Sequence, residues 1–327
     1  LAHMSSESVD EDNLKISNTP TNGYVLTAQS GNAGGLTWAA GAVTTLGGLT
    51  DVSMDITNFT DGLLIQPNSD GSAPTTGTLS SATGNTGIGK SAFAALTSGT
   101  YNTAYGYSAL AALTTGGSNV AIGKDALKTI TTSSGNIAVG LQAMELTTSG
   151  NSNVAIGHLA MNINTTGSAN VAVGHSALDA NTEGDQNTAL GAGALTANTT
   201  ASNNTAIGKW ALKVNTTGAN NTAVGKDALE ANTTGSENVA IGYHTLDANT
   251  TGDSNIAVGD YALGANTTAS YNTAIGYQTL TDNTTGTYNT AGGYLAMQKN
   301  TTGIENTAVG KAALRYNTTG DNNTASG

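Results

Sequence analysis

Two histidines in this chain are spaced in a way that could support metal chemistry. His158 and His175 are separated by the same 17-residue interval at which a glycine recurs along most of the chain. If each repeat is one layer of a stack, the two rings lie about 5 Å apart, close enough to share a metal ion. No third ligand accompanies them, and a zinc site needs at least three protein ligands. We therefore expect no metal site and two solvent-exposed histidines.

Paired carboxylates would be needed for cleavage of a glycosidic bond, because that reaction uses two of them on either side of the bond. The candidates are scattered among the repeats: Asp125, Asp227, Glu230 and Asp260. No glycine-rich phosphate-binding phrase opens a predicted helix. The sequence therefore predicts no enzymatic activity, no catalytic residue and no cofactor.

Aromatic side chains in the variable positions are the third group of candidates. Rings flanked by polar groups suit the apolar faces of sugars. If the chain carries a glycan site, the residues predicted to form it are Trp210, Tyr243, Tyr261 and Tyr277. The alternative is an ordinary hydrated surface with scattered rings.

The element that must position these residues is a repeat. Fifteen glycines, from Gly89 to Gly327, follow one another with a fixed 17-residue period, without insertion or deletion. A fixed short period predicts stacked coils. The phrase Asn-(Thr/Val)-Ala-(Ile/Val)-Gly alternates with period two, which predicts a short strand. The fold class is thus predicted as all-β, a parallel β-solenoid (β-roll) of about fourteen 17-residue coils.

We number positions relative to the periodic glycine, with Gly at position 0. Position −4 is Asn, +4 is large and apolar, and +8 is Thr. The residues taken to represent this structural register are Asn153, Gly157, Asn221, Gly225, Leu229 and Thr233. Stacked Asn side chains at −4 are expected to bond to one another along the stack, because their amides would otherwise be buried unpaired.

The packing of each coil follows from the same columns. We expect a thin core of one Ile or Val, one Leu or Met, one or two Ala and part of a Thr. The Ala-Leu pair at +3 and +4 fits either a short strand or one helical turn. Asn-Thr-Thr-Gly at +7 to +10 predicts a turn in which Gly takes a positive φ. The two Ala columns, at −2 and +3, predict a flat face that packs against another solenoid, and hence a homo-oligomer.

Three segments are predicted along the chain. Residues 1–4 resemble an expression-vector remnant, which suggests a fragment of a longer protein. Residues 5–84 lack the register and form an N-terminal β-rich segment, with strand-like stretches at 24–28, 34–39, 46–52 and 63–65. Residues 85–327 form the solenoid.

Composition excludes several classes of partner. The formal net charge of −12 argues against nucleic acid and anionic membrane surfaces. No apolar run approaches the roughly 18 residues of a membrane span, so we expect no membrane insertion. The chain has no cysteine, and disulfides are therefore excluded.

The strand phrase, as in Asn-Val-Ala-Ile-Gly at 153–157, resembles the head repeats of YadA-like trimeric autotransporter adhesins. The longer phrase at 272–286 is similar to repeats of phage tail fibres and bacterial fibre proteins. The stretches at 24–28, 35–38 and 49–52 also resemble spacers of phage structural fibres. The resemblance implies a homotrimer, an extracellular location on a virion tail fibre or a bacterial cell surface, and partners such as a cell-surface glycan or protein receptor.

These observations lead to one main functional hypothesis and two alternatives. The main one is a non-enzymatic structural and adhesive fibre segment that acts as shaft or head in attachment. The first alternative is an ice-binding β-solenoid that uses its Thr columns. The second is a polysaccharide-degrading tailspike.

Overall fold

The computed structural model describes residues 24–28, 36–40, 52–56, 59–66 and 76–327. From residue 86 onward a short strand recurs once in every 17-residue coil, and each strand pairs in parallel with the strands of the coils before and after it. The described part of the chain contains no helix. The predicted all-β class and parallel β-solenoid of about fourteen coils are confirmed. The strands are β1 (Tyr24–Ala28), β2 (Leu36–Ala40), β3 (Val52–Ile56), β4 (Phe59–Ile65), β5 (Ala82–Thr83), β6 (Thr86–Ile88), β7 (Thr103–Tyr105), β8 (Val120–Ile122), β9 (Ile137–Val139), β10 (Val154–Ile156), β11 (Val171–Val173), β12 (Thr188–Leu190), β13 (Thr205–Ile207), β14 (Thr222–Val224), β15 (Val239–Ile241), β16 (Ile256–Val258), β17 (Thr273–Ile275), β18 (Thr290–Gly292), β19 (Thr307–Val309) and β20 (Thr324–Ser326).

The N-terminal strands form two antiparallel pairs, β1 with β2 and β3 with β4. Strand β4 also pairs in parallel with β5 and β6, so the sheet of the solenoid continues into the preceding segment. The strands predicted at 24–28 and 63–65 are present. Residues 1–4 and the predicted strand residues 46–51 lie outside the described residues.

Each solenoid strand turns its alanine inward and its β-branched residues outward. Ala223 and Ala228, at positions −2 and +3 of one coil, are both completely buried within the chain, as is Leu229 at +4, and all three belong to one hydrophobic core. The exposed residues are the Ile and Val of position −1, such as Ile156 (41% exposed) and Ile275 (51%). The predicted core containing one Ile or Val is therefore wrong. The prediction that the Ala columns form an outer packing face is also wrong, because they line the inside of a coil too narrow for larger side chains.

The segment after the glycine, which holds the Ala-Leu pair, is neither the short strand nor the helical turn predicted for it. Positions +2 and +4 have left-handed backbones, with φ of 59° at Asp227 and 51° at Leu229. Residues with left-handed φ at +2 and +4 fit neither the extended backbone of a strand nor the backbone of a right-handed helical turn. The N–H of Leu229 donates to the carbonyl of Thr245 in the next coil, whereas that of Asn232 donates back to Leu229. The segment is a folded turn that is bonded to the next coil.

Two buried ladders of asparagine run along the solenoid, one at position −4 through all of its coils and one at +7 from Asn164 onward. At position −4, the Asn221 Nδ2 donates to the carbonyl of Gly235 (2.8 Å), while its Oδ1 accepts from the backbone N–H of Asn238 (3.0 Å). The Nδ2 of Asn238 also donates to the Oδ1 of Asn221 (3.2 Å), so the predicted bonding between stacked Asn side chains is confirmed. The second ladder, at +7, includes a bond of 2.8 Å from Asn232 Nδ2 to Asn215 Oδ1. A buried amide bonded to the coils above and below satisfies backbone groups that water cannot reach.

Two glycine columns serve different purposes. Gly225, with φ of +141°, ends its strand with a backbone that side chains rarely adopt, and a Cβ there would meet the carbonyl of Gly242 in the next coil. Gly235, at +10, has no positive φ, contrary to expectation. A Cβ at Gly235 would instead meet the carbonyl oxygen of Gly252 in the next coil and lie 2.5 Å from the Oδ1 of Asn232. The turn glycine thus marks a close approach between coils, although three coils carry Ser or Ala at +10.

Candidate functional site

The variable side chains lie at positions +1 and +2, directly after each strand. Because the strands are parallel and in register, the residues of one position form a column along the solenoid. Tyr243 and Tyr277 occupy +1, whereas Trp210 and Tyr261 occupy +2. The geometry of the coil therefore places all four candidate glycan contacts on the same strip of surface, although in different coils.

Three of the four predicted residues come together. The ring centroids of Tyr243 and Tyr261 are 5.5 Å apart, and those of Tyr261 and Tyr277 are 6.5 Å apart. Two further rings join them: His244, 4.2 Å from Tyr243, and Tyr294, 5.7 Å from Tyr277. We call these five residues the aromatic cluster. The prediction missed His244 and Tyr294, although both stand in the same two columns and could have been included on that ground.

The rings of the aromatic cluster cover one another in part. His244 and Tyr261 are parallel, with an interplanar angle of 4°, and Tyr277 and Tyr294 are inclined by only 11°. The other three ring contacts, Tyr243 with His244, Tyr243 with Tyr261 and Tyr261 with Tyr277, are edge-to-face. The surroundings also raise the pKa of the Tyr261 hydroxyl, through desolvation first and then the charge of Tyr243.

Two carboxylates hold the imidazole of the aromatic cluster. The Nδ1 of His244 lies 2.8 Å from the Oδ2 of Asp247, and its Nε2 lies 3.4 Å from the Oδ2 of Asp227. Lys226 donates to the same Asp227 oxygen at 2.7 Å, and this bond raises the pKa of the lysine. Burial raises the pKa of Asp247, while the bond from His244 opposes that shift. The arrangement fixes the ring orientation and balances charge locally.

Trp210 stands apart from the aromatic cluster. Its partners are two lysines of its own coil, with Lys209 Nζ 3.9 Å and Lys213 Nζ 4.5 Å from the ring centroid. Trp210 therefore forms a second group on the same strip, together with these two lysines and separate from the aromatic cluster. The four-residue site predicted from the sequence is divided into two by the structure.

The two histidines with metal-like spacing stack as predicted. Their centroids are 5.2 Å apart, with the rings tilted by 57°. The half-buried carboxyl of Asp179 lies nearby; burial raises its pKa, and His175, Ser176 and His158 oppose that shift. Among the described residues, no group of three or more His, Cys, Asp or Glu side chains is arranged to hold a metal ion.

Comparison with known proteins provides no further assignment. No family model matches the chain, and neither a curated protein nor a solved structure matches it. Within the described residues there is also no helix long and apolar enough to cross a membrane. The chain's own surface is therefore the basis on which its function is inferred.

Proposed function

We propose that this chain is a non-enzymatic structural and adhesive segment of an extracellular fibre, belonging to a phage tail fibre or a bacterial surface appendage. In this role it acts as shaft or head in attachment to a host or cell surface. A ladder of similar coils, each bonded to the next through backbone and asparagine side chains, supports a structural role, because a rod of this kind can be lengthened by adding coils.

The observation that carries the proposal is the exposed strand face. Along it, position −1 holds Ile or Val in most coils. Several apolar side chains of this face are more than a third exposed, including Ile207 and Ile241 at −1 and Ile256 at −3. A continuous apolar stripe of this length is unusual on the surface of a monomer and typical of an interface. A second and third copy of this chain are the proposed occupants, because copies of one chain have stripes of the same length and repeat. The resemblance of the strand phrase to trimeric adhesin heads favours three copies.

Sedimentation equilibrium of the purified chain tests this assembly. A homotrimer has a mass three times the 32.4 kDa of one chain. A stable monomer at micromolar concentration would contradict both the oligomer and the fibre role that depends on it. A dimer would retain the stripe as an interface but would rule out three-fold packing.

A cell-surface glycan or protein receptor is the proposed external partner. The support is the variable strip, where aromatic and charged residues replace the repeated ones. Tyr243, Tyr261 and Tyr277 form one group on it and Trp210 another. A glycan array probed with the purified chain tests this, and retention of binding after replacement of all four residues would place the contact elsewhere.

The two alternative functions have less support. The Thr column at +8 is engaged within the solenoid: the hydroxyl of Thr233 donates to the carbonyl of Thr250 at 2.9 Å, which leaves it less able to order ice. Measurable thermal hysteresis would nevertheless favour ice binding. Release of reducing sugar from capsule or lipopolysaccharide would favour a polysaccharide-degrading tailspike.

A further inference from the structure

A notch interrupts the variable strip beside Trp210. In the coil before the tryptophan, positions +1 and +2 hold Ala192 and Gly193, where the other coils carry larger side chains. His175 and Ser176 border the notch on one side, and Lys209 and Trp210 border it on the other. The resulting pocket has a volume of about 490 Å³, which lies within the roughly 300–1,000 Å³ of small-molecule sites.

The glycine of the notch is matched to the indole. Gly193 has φ of +67°, a conformation that residues with side chains adopt at the same position in other coils, for example Gln142 at 55° and Gln278 at 50°. The backbone therefore does not by itself require glycine here. A Cβ at Gly193 would lie 2.7 Å from Cδ1 of Trp210, so the missing side chain is what allows the indole to lean over the neighbouring coil.

The charge in the pocket is opposite to that of the chain as a whole. The ammonium groups of Lys209 and Lys213 both lie over the indole of Trp210. Lys213 shares its charge with Glu230 at 3.0 Å, whereas Lys209 makes no ion pair with any residue that the structure describes. In a chain with a net charge of −12, an exposed cation of this kind beside an indole and a concave apolar wall is suited to an anionic ligand.

We propose that this pocket binds a carboxylated pyranose unit of an acidic polysaccharide. The carboxylate of the sugar pairs with Lys209, and the C–H face of the pyranose ring packs against the indole, Ala197 and Val214, which line the pocket. This inference rests on the proposed attachment role, for which it names the ligand class. A neutral sugar would leave Lys209 without a counter-ion, and a simple anion would leave the apolar wall uncovered. Both are therefore expected to bind more weakly.

Saturation-transfer NMR on the purified chain tests the proposal, with methyl β-D-glucuronide and methyl β-D-glucoside as matched probes. We expect saturable binding of the glucuronide and roughly tenfold weaker binding of the glucoside, since the two differ only in the charge-assisted contact. Lys209→Gln should remove most of this preference. Trp210→Ala and Gly193→Gln should abolish binding, the latter by displacing the indole and filling the notch. Equal binding of the two probes, or no binding of either, would overturn the proposal.

The matched control is Lys311→Gln, which removes an exposed lysine from the same column in a distant coil. It should leave glucuronide binding unchanged, and a loss equal to that of Lys209→Gln would also overturn the proposal because it would indicate general attraction between charges. Circular dichroism of each variant establishes that the coils remain folded. Sedimentation distinguishes failure of the pocket proposal from failure of the fibre proposal. A trimer that fails to bind glucuronide refutes the pocket alone, and a monomer refutes the fibre role.

Discussion

The side-chain oxygen of Asn204 accepts a hydrogen bond of 2.9 Å from the backbone N–H of Asn221, one coil further along the chain. The same relationship links Asn221 to Asn238 at 3.0 Å. Every coil thus depends on an amide of the preceding coil to satisfy a buried backbone donor. Because neighbouring coils share these bonds, damage to one position should affect the adjacent coils most.

Replacement of Asn221 by Asp should destabilise the centre of the solenoid. The carboxylate cannot donate to the carbonyl of Gly235, and it would be buried without a counter-ion. One unsatisfied buried group costs about 1–3 kcal/mol, and a buried charge costs more. Hydrogen exchange should show faster exchange of the amides in the coils around residue 221.

The adjacent Asn220 provides the control for this substitution. It has an exposed side chain and the same chemistry, so Asn220→Asp should leave exchange nearly unchanged. Equal effects of the two substitutions would refute the structural role of the ladder.

Replacement of Gly225 by Ala should also destabilise the coil. The new Cβ would collide with the carbonyl of Gly242, a backbone atom that cannot move independently, and the φ of +141° is rare for alanine. We expect a loss of several kcal/mol, at least ~2, as for other strained substitutions at positive φ. Thermal unfolding followed by circular dichroism measures it.

Gly292 is the matched control, because a Cβ there meets nothing within 4 Å and the position is normally Ile or Val. Gly292→Ala should therefore be neutral or slightly stabilising. A melting temperature lowered as much as that of Gly225→Ala would contradict the close-approach argument.

Charge placed on the strand stripe should dissociate the proposed oligomer. Ile156→Glu combined with Ile207→Glu puts carboxylates on a face that three copies would bury, and unpaired buried charges are strongly unfavourable. Sedimentation should show a shift from trimer to monomer. Leu146→Glu changes an equally exposed apolar residue at position +6, away from the strand, and should leave the trimer intact. A trimer that survives the double substitution would show that another face makes the contact.

Asp179 should contribute a pH dependence of defined sign. Burial raises its pKa above the ordinary 3.8, so the folded state binds a proton more readily than the unfolded state. Stability from this group is therefore greatest below pH 3.8 and is lost as the pH rises through the folded pKa. Asp179→Asn should be more stable than the parent at pH 7, by less than about 1 kcal/mol given the partial exposure.

Below pH 3.8 the difference between Asp179→Asn and the parent should vanish, and thermal melts at several pH values measure this change. The exposed Glu183→Gln serves as control and should follow the parent at every pH. A stability difference for Asp179→Asn that stays constant with pH would contradict this assignment.

The candidate site illustrates what spacing can and cannot predict. The common 17-residue period is sufficient to place His158 beside His175 and to align Tyr243 with Tyr277 in one column. It also places Trp210 two coils before Tyr243, a separation that the four-residue prediction did not use. The period cannot give the lean of each ring, which for Trp210 depends on the missing side chain of Gly193. Side-chain direction within a column is decided by local neighbours.

The left-handed positions carry a signal in the sequence that the predictions did not use. Positions −5, +2 and +4 hold no Val, Ile or Thr in the repeats, and these are the positions with left-handed backbones, as at Asn220, Asp227 and Leu229. Branching at Cβ makes positive φ unfavourable. The exclusive use of Phe, Leu and Met at +4 therefore indicates the backbone conformation as well as a need for bulk.

The sequence alone determined that the chain is a stack of similar parallel coils, because only a translational repeat keeps Asn, Gly and a large apolar residue in register over fourteen periods. It also identified the columns free to vary. The tertiary structure decided which face of the strand is inside: alternation defines two faces but not their direction, and the narrow coil admits Ala223 while leaving Val224 toward solvent. Because the alanines are inside, the proposed oligomer interface lies on the β-branched stripe. The proposed ligand contacts lie on the variable strip that holds Trp210.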